Sequence, residues 1–256
     1  AAIATAIAQV ISVIISVIYL YRRKFAFSFR IYKKRLGEIL ACGIPVSMRD
    51  VIVHLSFIII TALFNMIGVY ASAAAGICSK FDAFAMLPAN SFAAAISAIC
   101  AQCMGAGKTE VAKKSLHIGM LYAAAFSMIF FLWAELFPAS IMQMFHAEPQ
   151  TLEAGVAYLR TFGIDFLLVA FLFCYNGFIN GYGKTAFTMI VGIITTIGIR
   201  TPLAFFLMQI ADGNLTVFGL ASPLTSVIGI VLCMLYMRSG RWQPRMDPAK
   251  SSPAIS

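Results

Sequence analysis

Seven apolar stretches, each about as long as a bilayer core is thick, dominate this chain: 1–21, 43–67, 81–104, 116–137, 158–180, 185–209 and 214–237. A hydrocarbon core of about 30 Å takes about 20 helical residues to cross. Lipid offers no partners to backbone N–H and C=O groups, so a crossing segment must be a helix or part of a closed barrel. Barrel strands cross in about 9–11 residues, and these stretches are twice that length. The expected fold is an all-α membrane protein of about seven transmembrane helices.

Charge supports this reading. Only 11% of residues are charged and 61% are hydrophobic, whereas a soluble domain carries about 25% charged residues. Too little charge is present to cover a water-facing shell, so much of the surface meets lipid. A net charge of +9 in a soluble chain would suggest nucleic acid. Here the basic residues lie between the apolar stretches, so no nucleic-acid partner is expected. With the 22–42 segment in the cytoplasm, fifteen Lys and Arg from Arg22 to Lys250 fall on that side, against Lys80 and Arg160 opposite. That bias expects a multi-pass membrane protein with a cytoplasmic C-terminus. The 138–157 segment and 68–80 then lie outside, with 105–115 and 181–184 inside.

Several motifs carry no chemistry. The cysteines fall almost entirely inside apolar stretches and read as small core residues. Cys100 and Cys103 lack the second pair that zinc would need. Gly107-Lys108-Thr109 and Gly183-Lys184-Thr185 look like the end of a phosphate loop, but Gln102 and Phe178 stand where its first glycine belongs. With no catalytic set and no metal cluster, neither an enzyme nor a bound cofactor is expected. Gly105-Ala106-Gly107-Lys108, Gly181-Tyr182-Gly183-Lys184 and Ala211-Asp212-Gly213-Asn214 read as tight connections. Pro88, Pro202 and Pro223 are expected to kink their spans.

Polar and ionisable groups inside spans are costly, which makes them the functional candidates. At about 100° per residue, Ser47, Asp50, His54, Thr61 and Asn65 share one stripe of the 43–67 helix. The stripe is expected to face the bundle interior, a wet cavity or the interface between lobes. Arg49 points off it and is expected to snorkel. On 158–180, Tyr158, Thr161, Asp165, Asn176 and Asn180 fall within one sector. Asp165 lies about 10 Å inside that span, where a carboxylate can load and release H+ or Na+. Asp50 and His54, one turn apart, form a second ion-coupling candidate. The remaining polar residues of both stripes are expected to line a substrate cavity or to bond helices together. Arg200 is the candidate structural partner of Asp165.

The order of several segments resembles the multidrug and toxic compound extrusion (MATE) transporters, particularly the bacterial ones. Ala2-Ile-Ala-Thr-Ala-Ile-Ala-Gln9 is similar to their sixth helix, and Gly43-Ile-Pro45 to the start of the seventh. Ala101-Gln-Cys-Met-Gly-Ala-Gly-Lys108 is similar to the end of the eighth. Phe145, Glu148-Pro149 and Ala157-Tyr-Leu159 resemble the outer segment before the tenth. Gly181-Tyr-Gly-Lys-Thr185 and Arg200-Thr-Pro202 resemble the turn into the eleventh and that helix itself.

The resemblance implies two six-helix lobes around a central cavity, and export of small cationic or amphipathic compounds by H+ or Na+ antiport. Residues 1–21 would be the last helix of a missing N-terminal lobe, 22–42 a basic cytoplasmic loop between lobes, 43–238 the C-terminal lobe and 239–256 a cytoplasmic tail. The partners would be the lipid bilayer, a small-molecule substrate and that missing lobe. Asp165 matches the family's acidic site on the tenth helix. Where many members carry a Glu midway along the seventh, this chain has Val53 and His54, with Asp50 one turn earlier. A lipid-linked saccharide flippase of the same superfamily and a seven-helix receptor are the alternative expectations.

Overall fold

A computed structural model describes residues 2–22, 33–210 and 215–242. Among them every regular element is helical. Six helical stretches are long and apolar enough to cross a membrane: Ile39–Ile67, Val69–Gly105, Thr109–Leu136, Ile164–Gly181, Thr185–Ile210 and Leu215–Arg238. The expected first stretch is also a helix, α1 (Ala2–Arg22), with Gln9–Arg22 as a shorter apolar part. The chain divides into two units, Ala1–Ile39 and Leu40–Ser256. The second is one compact bundle and holds every site described below.

The helices of that bundle follow from local chemistry, and their ends correct several expected boundaries. Helix α2 (Lys33–Ile67) starts inside the expected basic loop, so 33–42 is helical and 23–32 lies outside the described residues. The outer loop expected at 68–80 shrinks to Gly68, whose φ of 151° only glycine adopts easily. Helix α3 (Val69–Gly105) takes up the rest, because Ala71, Ala73, Ala74 and Ala75 are strong helix formers. Helix α4 (Thr109–Leu136) follows. The outer 138–157 segment is two helices, α5 (Pro138–Met144) and α6 (Pro149–Phe162), each with proline in its first turn, where no N–H is missed.

The expected 158–180 span is broken at Gly163, where α6 ends and α7 (Ile164–Gly181) begins. Helix α8 (Thr185–Ile193) runs into a π-helical segment, Ile194–Arg200, and then α9 (Thr201–Ile210). Pro202 sits in the first turn of α9, so its missing N–H coincides with the change of winding rather than kinking a continuous helix. Pro223 likewise falls in the first turn of α11 (Ala221–Arg238), after α10 (Leu215–Gly219). Pro88 does lie deep inside α3. The connection 211–214 and residues 243–256 of the tail lie outside the described residues.

Two packed clusters hold the bundle. One gathers Phe64, Phe81, Tyr158, Phe162, Phe166 and Phe218 from α2, α3, α6, α7 and α10. The other joins Cys100, Cys174, Phe178, Tyr182, Cys233 and Trp242. The phosphate-loop lookalikes are turns: Gly107 and Gly183 have φ of 69° and 71°, and the following lysine N–H groups reach back to Cys103 and Ile179 carbonyls. Left-handed glycines of this kind close helix C-termini. Trp242 packs on Phe178 and Tyr182, and Lys113 Nζ lies 6.0 Å from its ring, so 105–113, 182–184 and 242 share one end of the bundle. Lys80 Nζ lies 5.9 Å from the Phe145 ring.

Candidate functional site: two cavities flanking Arg200

The break at Gly163 decides where Asp165 sits. It starts a new helix, so Asp165 occupies the first turn of α7. The residue is 5% exposed. Ser226 Oγ of α11 donates to Asp165 Oδ1 at 2.5 Å. Asp165 lines a cavity of about 120 Å³ together with Arg200, Thr195 and Thr196 of the π segment, and Thr225 and Ser226 of α11. Most of the rest of the wall is apolar, including Phe57, Phe162, Val169 and Leu172. A carboxylate held by one hydroxyl beside a space with room for several waters can exchange a small cation.

Arg200 is not the ion-pair partner expected for Asp165. Among the described residues the ion pairs are Arg49–Asp50 and Lys113–Glu110. The Arg200 guanidinium instead lies over the Phe57 ring, with Cζ 4.5 Å from its centroid, a cation–π arrangement. Its Nε is buried without a hydrogen bond. The reason is the winding: a π turn ends at Arg200 and aims its side chain at α2 and α3. A second cavity, of about 20 Å³, is lined by Arg200, Tyr158, Thr61, Ser79 and Asp82.

The two expected stripes fare differently. Helix α2 buries Ser56, Ile60, Leu63 and Phe64, so Ser47, Asp50, His54, Thr61 and Asn65 are left on its exposed side. The interior placement is thereby corrected. Burying Phe64 against Tyr158 and Phe218, at ring distances of 5.1 and 4.7 Å, outweighs burying polar groups. Thr61 still reaches the rim of the smaller cavity. Asp50 accepts from Arg49 at 3.0 Å rather than from His54, and the stem of Arg49 packs on Gly192. Asn65 accepts a hydrogen bond from Ser72.

Within the second stripe, Tyr158 borders the smaller cavity, but three residues do not line either one. Thr161 Oγ1 donates to the Tyr158 carbonyl at 3.1 Å and packs on Gly219. Asn180 accepts from Thr188 at 2.7 Å, and Asn176 receives only a weak contact from the Cys233 thiol at 3.9 Å. Asn180 and, more weakly, Asn176 therefore tie helices together, as small polar groups do in lipid, while the Thr161 hydroxyl bonds within its own helix. Ser226, Thr195, Thr196 and Asp82 were missed. Asp82 looked like the edge of an apolar stretch; only the upstream extension of α3 puts it deep inside a helix.

Comparison with known proteins supplies the family. The family model described as MatE matches residues 45–206. A probable multidrug resistance protein YoeA of Bacillus subtilis is 23% identical over 92% of this chain and 52% of its own length. A probable multidrug resistance protein NorM of Thermotoga maritima is 23% identical over 81% of this chain and 45% of its own. A solved structure, described as MATE in complex with MaL6, superposes with a TM-score of 0.81 at 13% identity, covering 92% of this chain and 55% of that one. The chain thus spans about half the length of the curated relatives it matches. It belongs to the MatE family of multidrug and toxic compound extrusion transporters.

Proposed function

We propose that this chain is the ion-coupling lobe of a secondary exporter that moves small cationic or amphipathic compounds in exchange for H+ or Na+. One observation carries the reading: a buried carboxylate, Asp165, opens onto a cavity that also carries Arg200 and several hydroxyls, within a family of transporters. The coupling ion occupies that carboxylate, and the substrate occupies a larger space shared with a second lobe. Relatives about twice as long support the second lobe. The exposed stripe Ser47, Asp50, His54, Thr61 and Asn65 faces it, which accounts for polar groups on an otherwise apolar membrane helix.

The coupling is tested by reconstituting the intact protein into liposomes and following ethidium. Export should accelerate when a proton or a sodium gradient is imposed toward the side from which ethidium is drawn. Equal rates with both gradients collapsed and with each imposed would reject antiport. The cation that accelerates export names the coupling ion.

The orientation has its own test. The shared end formed by 105–113, 182–184 and 242 is proposed to be cytoplasmic, following the positive-inside rule. A single cysteine at position 110, in a background without the native cysteines, should react with an impermeant maleimide only after the membrane is opened. Labelling of intact cells would invert the topology.

A further inference from the structure

Asp82 lies well inside α3 and is 6% exposed. Its Oδ1 is buried with no hydrogen-bond partner. Arg200 Nε is also buried without one. A buried polar atom left unmade is costly, and a buried charge more so. Asp82 and Arg200 nevertheless line the same cavity, of about 20 Å³. About 10–15 Å³ suffices for one water-sized occupant. On its other side Arg200 lines the cavity that holds Asp165. One guanidinium is therefore flanked by two buried carboxylates and forms an ion pair with neither. The other titratable groups near them are Cys78 of α3, which feels Asp82, and Tyr158 of α6, which feels both aspartates; both are ordinarily neutral at pH 7. Helix α2 brings Phe57 and Thr61, neither of which titrates.

Two aspartates against one arginine leave this cluster one positive charge short of neutrality. A low-dielectric site strongly disfavours that imbalance. We propose that Asp82 is a second coupling carboxylate, and that Asp82, Arg200 and Asp165 together bind a single monovalent cation, H+ or Na+. The cation reaches either carboxylate through the cavity on its side. When it occupies Asp165, the guanidinium is released toward Asp82. When it leaves, the guanidinium turns back and Asp82 becomes the group in need of a cation. Arg200 thus acts as the mobile counter-ion that makes the two carboxylates exclusive. In the proton case the proton passes from water to a carboxylate oxygen and back, and no other bond changes.

This inference rests on reading Asp165 as a coupling group, and the test separates the two. The intact protein in liposomes exports ethidium under an imposed proton gradient and, in a parallel arm, a sodium gradient. The readout is gradient-driven over gradient-free rate. Exchange of one H+ or Na+ for ethidium, itself a monovalent cation, moves no net charge, so the ion gradient alone drives it and a tenfold ion gradient sustains about a tenfold ethidium gradient. Asp82→Asn should bring the ratio to about 1, because one carboxylate and one guanidinium demand no further cation. Asp82→Asn combined with Arg200→Gln leaves one carboxylate alone, and the ratio should rise again. A merely structural Asp82 would not be rescued by removing Arg200. If Asp82→Asn keeps the original ratio and pH profile while Asp165→Asn loses them, the proposal is overturned and the Asp165 reading stands. If both single variants keep them, the Asp165 reading falls as well. Should Asp82→Asn fail to fold, the double variant decides: coupled export supports the shared site, and uncoupled export overturns it.

Discussion

Asp165→Asn is expected to abolish gradient-driven export while leaving the amount of folded protein unchanged. The substitution keeps the shape of the side chain and an oxygen able to accept from Ser226. It removes the charge and the ability to take up H+ or Na+. Exchanged one-for-one for ethidium, itself a monovalent cation, the coupling ion moves no net charge, so a tenfold ion gradient supplies about 1.4 kcal/mol and sustains a substrate gradient of about tenfold. Loss of coupling should therefore lower steady-state export by up to that factor. The measurement is ethidium accumulation in cells or vesicles at matched protein level. Export at the original rate with the original pH dependence would sink the assignment. Loss of folding, repaired by also neutralising Arg200, would instead point to a structural pair. The absence of an Asp165–Arg200 ion pair among the described residues argues against that outcome.

The largest stability effect should come from Gly177→Leu. A Cβ built on Gly177 would stand 2.3 Å from the Ala93 carbonyl oxygen and 2.9 Å from its carbon. One turn later, a Cβ on Gly181 would stand 2.6 Å from the Ser97 carbonyl oxygen. Helices α3 and α7 therefore touch backbone to backbone along a Gly-x-x-x-Gly face, the close approach that small residues permit in membranes. The obstacle is main chain, which cannot step aside as a side-chain tip can. Overpacking of this kind costs about 1–3 kcal/mol or more. By the scale of soluble domains, such a cost lowers an apparent melting temperature by about 2–12 °C. The same helix pair carries Asp82 and Asp165, so the separation would also spoil the site. Gly76→Ala is the control, since nothing lies within 4 Å of its Cβ position. Equal melting of Gly177→Leu, Gly76→Ala and the unaltered protein in detergent would refute the backbone contact.

The membrane class and the all-α fold were legible in the chain itself, because the thickness of a bilayer and the backbone's need for hydrogen bonds leave few choices. Asp165 was legible for the same reason: an acid placed among apolar residues is expensive wherever the helix turns. The glycine turns at Gly107 and Gly183 were readable from their punctuation between apolar stretches. The Gly177-x-x-x-Gly181 face was present in the sequence too, but without its partner it could not be told from two ordinary glycines.

What periodicity could not supply is which polar face a helix buries. On α2 the choice fell to Phe64 and its aromatic neighbours, leaving Asp50 and His54 exposed. On α7 Asn176 and Asn180 found partners on α11 and α8 and left the cavity. Arg200 lies in a segment that winds as a π-helix, a local change that no apolar pattern announces, and its direction decides that it faces Phe57 rather than pairing with Asp165. Asp82 became an internal charge only because α3 continues upstream to Val69. Hydrophobicity and hydrogen bonding act along the chain and can be read there. Pairing among a few buried charges depends on ångström-scale distances between separate helices, and only their packing sets those.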